Sequence, residues 1–543
     1  MEPGKIISMV DAKKIKQRLE TMRTHRANFE NTWEEILRLV RPSTSSFQGS
    51  NTPGDQKTQD IYDSTAPWAC EQLAGGLNSF LTSPVARWFN LVIANQPDQF
   101  ALPQQVLAWL EQVADILYGE YGRPVVNFNS TIHEAYLDIG AFGTAVLYQE
   151  YSSVKNHVCF YSFPLASCYI SESASGLIDC VFRKFTMTTR QLMEKFPETI
   201  PKKVREEKEM EKKHEMVHAV FPRTERNIGR LDKFNKPWAS AYVLVEGDHV
   251  LAEGGYDSMP YHVCRWTKIS GEIYGRSPAW TALPDIRVVN AMSKVVLKAA
   301  QKIVDPPLMV PDDGFIMPLK TSPGSLLFYT PGTDPILPLE TKGQVQIGLD
   351  QMDQRRGQIT RTFYVDYILR EKKRERQTQL EISDDRQEML RQMSPMLGRI
   401  QTELLSPMLV RTFNLLMMVG RIPPAPIAMA EGQYSLAIEY VSPAAIAQIG
   451  TKADSMSRFI QEIVPLASVS PGVLDVVDFD KAVQDVARYR DVPRSIIRDP
   501  KLIAQIRQER SQKEQEAQAA GQAQQSASTL KDVAMAQKAM GGG

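Results

Sequence analysis

The sequence predicts an α+β, helix-rich fold, and three observations support this prediction. Short runs of β-branched and aromatic residues follow one another between positions 142 and 269, as in strands. On both sides of them, apolar residues recur every three or four positions among charged residues, as in amphipathic helices. With 543 residues, of which 43% are hydrophobic and 8% aromatic, the chain has the composition of a folded protein of several domains.

Helices form the beginning of the chain. Apolar residues at helical spacing predict a first helix over residues 10–41, which a proline ends. A loop rich in Ser, Thr, Gly and Pro follows, and a second helix then begins with Ser64 or Thr65 as its N-cap and Pro67 in its first turn. A third helix is predicted over residues 103–121.

The strand-rich part is interrupted by a highly charged segment at residues 201–213. The runs that predict strands are TAVLYQEY, HVCFYSF and CVFRKFTM before that segment and MVHAVF, AYVLVEGDHVLAEG and YHVCRWTKI after it. Together with the helices before them, they make the first half of the chain an α+β region.

Long helices dominate after position 278. One apolar stripe predicts a helix over residues 284–303, and its members are Ile286, Val289, Met292, Val296, Ala299 and Ile303. The next segment, residues 304–344, is so rich in Pro and Gly that only short strands and turns fit. A second helix is predicted over residues 345–368.

A methionine-rich helix comes later in the same half. Its apolar residues recur at helical spacing and are Met389, Met393, Leu397, Ile400, Leu404 and Met408. Such a stripe indicates packing in a core or at a subunit interface, because the thioether adapts to irregular surroundings. The Ser-Pro pairs at Ser394 and Ser406 predict that this helix is either kinked or split into capped pieces.

Charge is balanced over the chain but not along it. The 63 Lys and Arg residues equal the 63 Asp and Glu residues, which argues against a protein that grips nucleic acid statically through many phosphates. Within YILREKKRERQ, however, residues 370–376 hold five basic side chains and two acidic ones. Two interpretations remain open, a phosphate contact or a solvated helix face of mixed charge.

One catalytic motif is present, H-E-x-x-H at His214, Glu215 and His218. Zinc hydrolases carry this motif on a helix, which brings both imidazoles onto one face a turn apart. Here the surrounding residues are typical of a strand, on which the two histidines would lie roughly 13 Å apart, too far to share one zinc ion. Two ordinary strand histidines are therefore the favoured interpretation, and a zinc metallohydrolase is the alternative.

Other enzymatic signals are close to absent. The five cysteines are scattered and form no C-x-x-C pair, which indicates buried free thiols. Neither a phosphate-binding G-x-x-x-x-G-K-[ST] loop nor a G-x-S-x-G elbow is present. The sequence therefore predicts no enzyme, no cofactor and no metal. The lack of a long apolar run or a signal peptide predicts a chain that neither crosses a membrane nor is exported.

Four stretches resemble the portal, or head-to-tail connector, proteins of short-tailed, podovirus-type bacteriophages. They are the segments Tyr62 to Pro84, Ile273 to Ile286, Thr378 to Pro426 and Val476 to Arg510. The order of elements resembles that family as well. The sequence departs from the family at Gln379 and at Arg490 or Asp491, and the resemblance leaves out the N-terminal helix and the segment after residue 510.

The resemblance implies a portal-type fold that assembles as a ring, usually of twelve subunits. Its parts would be a wing region at 1–283, a stem helix at 284–303, a clip at 304–344, a second stem helix at 345–368, a tunnel loop at 369–378, a long wing helix at 379–430 and a crown region at 431–510. Residues 511–543, rich in Gln and Ala, are predicted to be a low-complexity tail.

The resemblance also implies a function. The ring would occupy one vertex of the capsid in the virion, after assembly in the host cytoplasm, and double-stranded DNA would be packaged and ejected through it without sequence specificity. Expected partners are the terminase large subunit, the major capsid and scaffolding proteins and a tail adaptor protein. The tunnel-loop residues expected to face DNA are Arg370, Lys372, Lys373, Arg374 and Arg376. A virion scaffold protein that forms no channel is a further alternative.

Overall fold

A computed structural model describes most of the chain. The described residues are 11–304 with short gaps at 50–51, 53, 95–101, 228 and 231, then 307–309, 337–338, 345–369, 392–426, 435–441, 455–463 and some residues between 465 and 515. They fall into two compact units. The first consists of Met1–Trp88 with Asp115–Ile422, and the second of Phe89–Ala114 with Pro423–Gly543.

Helices and strands are largely segregated along the chain, as in an α+β fold. The helices are α1 (Ala12–Leu39), α2 (Thr65–Leu81), α3 (Gln104–Gly122), α4 (Phe128–Phe142), α5 (Thr189–Lys195), α6 (Lys202–Arg205), α7 (Pro278–Val304), α8 (Val345–Thr362), α9 (Val365–Leu369), α10 (392–400) and α11 (Ser406–Met418). The strands are β1 (Phe89–Ile93), β2 (Thr144–Ser152), β3 (His157–Phe163), β4 (Cys168–Glu172), β5 (Ile178–Thr188), β6 (Lys213–Pro222), β7 (Trp238–Leu244), β8 (His249–Tyr256), β9 (Tyr261–Arg265), β10 (Leu308–Met309), β11 (Leu337–Pro338) and β12 (Leu436–Tyr440).

Two antiparallel sheets form the centre of the first unit. Strands β3, β2 and β9 make a three-stranded sheet, and β4 to β8 make a five-stranded sheet in chain order. All six predicted strand runs are confirmed, and AYVLVEGDHVLAEG proves to be two strands joined by a tight turn. Strand β4 was not predicted.

Helix α1 covers one face of the five-stranded sheet. Its apolar stripe includes Ile15, Leu19 and Met22, which pack on the buried side chains of Phe182 and Val217. Side chains alternate between the two faces of a strand, so the residues that follow Phe182 and Val217, namely Arg183 and His218, belong to the opposite face. The predicted first helix is confirmed.

The start of α2 differs in detail from the prediction. Ser64 precedes the helix, but its side chain makes no capping hydrogen bond. Instead the Thr65 amide donates to Oδ1 of Asp63 at 3.0 Å. The negative charge of a carboxylate is favourable near the positive end of the helix dipole.

Helices after position 278 are more broken than the sequence suggests. Helix α7 begins at Pro278, ahead of the predicted start at residue 284, because a proline in the first turn needs no amide hydrogen. The predicted helix over 345–368 is two helices, α8 and α9, separated at Tyr364, whose φ is 58°. The described part of the predicted helix over 379–430 ends at Met418, and Gly420 with φ of 74° follows.

The methionine-rich helix continues through a π turn and is not split into capped pieces. Residues Gln401–Leu405 form a π turn between α10 and α11, and Pro407 lies in the first turn of α11. Proline lacks the amide hydrogen that would bond the carbonyl of Glu403, so the extra residue of the π turn takes up the mismatch. The described members of the apolar stripe are buried, as predicted, and they are Met393, Leu397, Ile400, Leu404 and Met408.

The second unit holds an antiparallel pair of strands, β1 and β12, with Leu91 opposite Ile438. In the same unit the indole of Trp109 donates to the Pro423 carbonyl at 3.0 Å. All five cysteines of the chain are buried and free, as predicted.

Candidate nucleic-acid interface and its supports

Helices α7 and α8 pack as an antiparallel pair. Arg355 on α8 donates to Asp285 near the start of α7 at 2.6 Å. Further along α7, the Val296 side chain lies 3.7 Å from the place where Gly348 would carry a Cβ. Residue numbers therefore rise along one helix where they fall along the other, which defines antiparallel packing. Strands β10 and β11 pair beyond the far end of the two helices.

The near end of this pair is held by polar contacts to the start of α2. Asn290 on α7 accepts from the Tyr62 amide at 2.7 Å and donates to the Asp60 carbonyl at 2.8 Å. Arg356 on α8 donates twice to one oxygen of Asp63, at 2.7 and 3.0 Å. Burial opposes ionisation of Asp63, but hydrogen bonds from Thr65 and Arg356 outweigh it and lower its pKa.

Three exposed lysines form a stripe along the far half of α7. Lys294, Lys298 and Lys302 are spaced by four residues and so lie on one side of the helix, about 6 Å apart along its axis. The ammonium of Lys294 lies 4.8 Å from the ring centre of Tyr62. Among the described residues, Lys298 and Lys302 have no ion-pair partner. Sequence reasoning missed this stripe, although the four-residue spacing of the lysines could have revealed it.

An apolar edge runs beside the lysine stripe. Ile286 and Val289 of the predicted stripe are buried, but Ile303 is 56% exposed. Two neighbouring apolar side chains on this half of α7 are exposed as well, Leu297 by 51% and Val304 by 86%. The apolar side of α7 therefore extends beyond the part that the rest of the chain covers.

The five tunnel-loop candidates lie outside the described residues, and they are Arg370, Lys372, Lys373, Arg374 and Arg376. The description ends at residue 369 before them and resumes at residue 392 after them. Tyr367 and Gln392 both line a cleft of about 850 Å³. Its walls also include Trp266, Arg276, Trp280, Arg361 and Tyr364.

One residue in the wall of this cleft has a strained backbone. Tyr364 has a φ of 58°, which a bulky side chain rarely adopts. This conformation ends α8 and sets the Tyr364 ring 6.1 Å from that of Trp266, between ring centres. The break separates α8 from α9, which ends at Leu369, directly before the basic residues of 370–376. Strain of this kind persists where surrounding contacts fix it, often at functional sites.

The long helix is tied to the three-stranded sheet through its π turn. Arg265 on β9 is buried, and its Nη2 donates to Oε1 of Glu403 at 2.7 Å. The Nε atom and the backbone amide of Arg265 donate to Oε2 of Glu403, at 3.2 and 3.0 Å. The same guanidinium donates to Glu172 at 3.1 Å and to the Gly176 carbonyl at 2.9 Å. One side chain thus joins the turn of the helix to both sheets.

A second anchor lies further along the same helix. Thr412 Oγ1 accepts from the side-chain amide of Gln149 at 2.7 Å and lies 2.6 Å from the Tyr121 hydroxyl. Arg411 donates to the Ser258 carbonyl at 2.6 Å and, through Nε, to the Gln149 carbonyl at 3.3 Å. All these partners belong to the first unit, so α11 is fixed to the body from which α7 and α8 extend.

The H-E-x-x-H motif does not form a metal site. His214 and His218 lie on strand β6, as the composition predicted. Each nitrogen of His218 has a hydroxyl partner, Tyr261 at 2.7 Å and Ser240 at 3.0 Å. His214 contacts Thr189 at 3.1 Å and Glu246 at 3.2 Å. The zinc-hydrolase alternative is therefore not supported, because both histidines lie on one strand, four residues apart, and their ring nitrogens contact hydroxyls and a carboxylate.

The described residues add two negative findings. No group of three or more His, Cys, Asp and Glu side chains in the described ranges is placed to hold a metal ion. None of the helices in the described part of the chain is both long and apolar enough to span a membrane.

Comparison with known proteins identifies the family. Residues 12–497 match the family described as "Bacteriophage head to tail connecting protein". The chain belongs to this family. The match of this head-to-tail connecting protein begins at residue 12 and so includes α1, which the resemblance seen in the sequence left out.

Two phage proteins are similar to this connector over almost their whole length. The "Probable portal protein" of Bordetella phage BPP-1 is 28% identical over 537 residues, which cover 96% of this chain and 94% of the relative. The "Portal protein" of Salmonella phage epsilon15 is 27% identical over 544 residues, covering 97% and 96%. The suspected membership in the portal and connector family is thus confirmed.

Proposed function

We propose that this connector is a portal protein. In this proposal, identical subunits form a ring at one vertex of the capsid, and double-stranded DNA enters and leaves the head through the ring. The family match and the two portal-protein relatives, similar along nearly the whole chain, support it. The protein would act as a structural conduit without a catalytic residue or cofactor.

The observation that carries the proposal is that the far half of α7 exposes both an apolar edge and a lysine stripe. Leu297 and Lys298 are adjacent and so point about 100° apart around the helix axis. An apolar edge on one side needs a partner to cover it, and a lysine stripe on another side attracts phosphates. A ring of helix pairs meets both needs at once, since each apolar edge can pack on the neighbouring copy while the lysines face the channel.

Ring symmetry explains how a neutral chain can guide DNA. Each lysine of the stripe is repeated by every subunit, so a single side chain becomes a belt of positive charge. Because the belt has few charges per turn, few counterions are released at any one position, and DNA can slide rather than stop. The balance of 63 basic and 63 acidic residues fits a conduit of this kind better than a clamp.

The basic segment after α9 is also proposed to lie near DNA. The basic residues of 370–376 would form a second ring of charge near DNA, and the cleft beneath them would seat the base of that segment. Glu371 and Glu375 would offset part of this charge. A mixed-charge, solvated helix face is the competing interpretation of these residues.

Subunit regions follow in the order that the family resemblance implies. Helices α7 and α8 would be the stem, residues 304–344 the clip, 369–378 the tunnel loop and α10 with α11 the long wing helix. The clip would meet the terminase large subunit during packaging and a tail adaptor afterwards, while the wing would meet the capsid and scaffolding proteins. A ring of twelve subunits is expected from the same resemblance.

Labelling of phage particles tests the proposal. A short epitope tag at the C-terminus, detected by gold-labelled antibody on opened particles, should mark one vertex per head. Labels on several vertices, or on the head surface in general, would contradict a portal and favour a scaffold or capsid protein.

A further inference from the structure

A row of cations and aromatic rings crosses the face of the five-stranded sheet opposite α1. Arg183 pairs with His218 in the β5–β6 register, and His218 pairs with Tyr242 in the β6–β7 register. The His218 and Tyr242 rings stack, with centres 4.2 Å apart and planes 9° apart. Lys195, at the end of α5, completes the row with its Nζ 4.5 Å from the centre of the Tyr242 ring.

Arg183 is held by two aromatic rings. Its guanidinium carbon lies 3.4 Å from the ring centre of Phe163 and 4.6 Å from that of Phe185. Its Nε atom is buried and has no hydrogen-bond partner among the residues that the structure describes. No ion pair joins Arg183 to a carboxylate in the part of the chain that the structure describes. Stacked in this way, the planar guanidinium keeps a fixed orientation.

Lys195 also contacts aromatic rings rather than a carboxylate. Its ammonium contacts the rings of Tyr242 and Phe196 and makes no ion pair within the described ranges. Burial lowers the pKa of Lys195; the negative charge of Glu150 opposes the shift, and the positive charge of Arg183 adds to it. A partly buried guanidinium and an exposed ammonium thus lie against neighbouring aromatic rings, and neither has an ion-pair partner among the described residues.

Cations in such surroundings favour an anionic ligand. A partly desolvated cation without a bonded anion is costly, and an incoming carboxylate relieves that cost with charge-assisted hydrogen bonds. The stacked guanidinium has already given up its rotamer freedom, so binding costs little further ordering. Tyr161, 44% exposed and parallel to Phe163 at 6.2 Å between ring centres, adds an apolar rim. Aromatic side chains and arginine are the residues enriched at the centres of protein interfaces.

The neighbouring carboxylate decides between a peptide and a nucleic acid. Glu150 is exposed and accepts a hydrogen bond from the Tyr148 hydroxyl at 3.1 Å. A DNA duplex carries a charge about every 1.7 Å and needs a long basic track, which two cations beside a carboxylate do not provide. A short acidic peptide needs only a few cations.

We propose that Arg183 and Lys195 form a docking site for an acidic peptide segment of a partner protein. Acidic side chains of the partner bond the guanidinium of Arg183 and the ammonium of Lys195. Apolar residues beside them pack on Phe163, Phe185 and Tyr161. This site is separate from α7 and does not depend on the proposed portal function.

Fluorescence anisotropy with a labelled peptide of alternating Glu and Leu tests the proposal. The full-length wild-type chain should bind this peptide more weakly as salt rises, and Arg183→Met and Lys195→Met should each weaken binding by about tenfold or more. Lys184→Met is the matched control, because Lys184 is the next residue on the same strand, faces the other way and pairs with Glu215 at 3.1 Å. It should bind like the wild type.

Three results would overturn the proposal. One is a wild-type chain that binds more weakly than about 1 mM, and another is equal binding of the same peptide with Gln in place of Glu. The third is an Arg183→Met variant that loses affinity for a DNA duplex but not for the peptide.

Thermal unfolding provides a further check. Arg183→Met should unfold at or above the wild-type temperature, because it removes an unpaired cation, and a large decrease would show a purely structural arginine.

Discussion

The guanidinium of Arg265 on β9 binds the carboxylate of Glu403 within the π turn of the long helix, through two nitrogens at 2.7 and 3.2 Å. The residues are 138 positions apart in the sequence. The ion pair holds the turn where Pro407 interrupts the normal helical bonding. It therefore ties the turn between α10 and α11 to strand β9.

Glu403→Gln tests the importance of this ion pair. The variant leaves a buried guanidinium with less compensation, so the free energy of unfolding should fall by about 3 kcal/mol. Arg399→Gln is the control, since Arg399 is a third exposed and lies 4.0 Å from the same carboxylate. It should cost less than about 1 kcal/mol. Chemical denaturation measures both, and equal decreases would show that the ion pair with β9 has no special weight.

Gly76 on α2 makes room for α9. A Cβ at this position would lie 2.7 Å from Cδ1 of Ile368, whereas a Cβ at neighbouring Gly75 would meet nothing within 4 Å. Gly76→Ala should destabilise the chain by about 1 to 3 kcal/mol through overpacking, and Gly75→Ala should stabilise it slightly through helix propensity. Adding Ile368→Ala to Gly76→Ala should restore part of the stability. Two alanine variants of equal stability would contradict this packing.

His218 makes the folded state sensitive to acid. Burial, with the charges of Lys195 and Arg183, lowers its pKa from 6.5 to about 3. Between these values the unfolded chain binds a proton that the folded chain does not, so stability falls as the pH falls, by up to about 1.4 kcal/mol per pH unit. The free energy of unfolding of the wild type should therefore exceed that of His218→Gln by less as the pH falls below 6.5. A difference that stays unchanged down to pH 4.5 would contradict this prediction. His249→Gln, at an exposed histidine, is the control.

The lysine stripe predicts a change in salt dependence. Replacing Lys298 and Lys302 together by Gln should weaken binding to a DNA duplex. The slope of log affinity against log salt should become shallower by about 0.9 for each phosphate that the variant no longer neutralises. Lys155→Gln, an exposed lysine in the turn between β2 and β3, should leave the slope unchanged. Equal slopes for both variants would show that the lysines of α7 do not contact DNA.

Strong periodic patterns made much of the fold predictable. Helix α1, the six strand runs and the buried methionine stripe follow from spacing alone, because one face of each element is apolar. Helix α4 was missed because most of its residues are buried, which blurs the helical period. The break at Tyr364 contains neither Gly nor Pro, so the local sequence gives no sign of it.

The candidate site was less predictable than the fold, for a physical reason. The anchors of the long helix are pairs such as Arg265 with Glu403 and Gln149 with Thr412, whose members are far apart in the chain. Only the folded sheets bring them together. The stripe of Lys298 and Lys302 was within reach of the sequence, because its spacing is regular. The basic cluster at residues 370–376 stays a prediction.

The central claim is that the apolar edge of α7 joins copies of this chain into a ring around a channel. Negative-stain electron microscopy of the purified protein tests it most directly. The wild type and Val154→Asp, a control at a side chain 95% exposed in a distant turn, should both give annular particles with a central opening, whereas Leu297→Asp should give mostly single subunits. Non-annular wild-type particles at high concentration, or intact rings of Leu297→Asp, would contradict the claim.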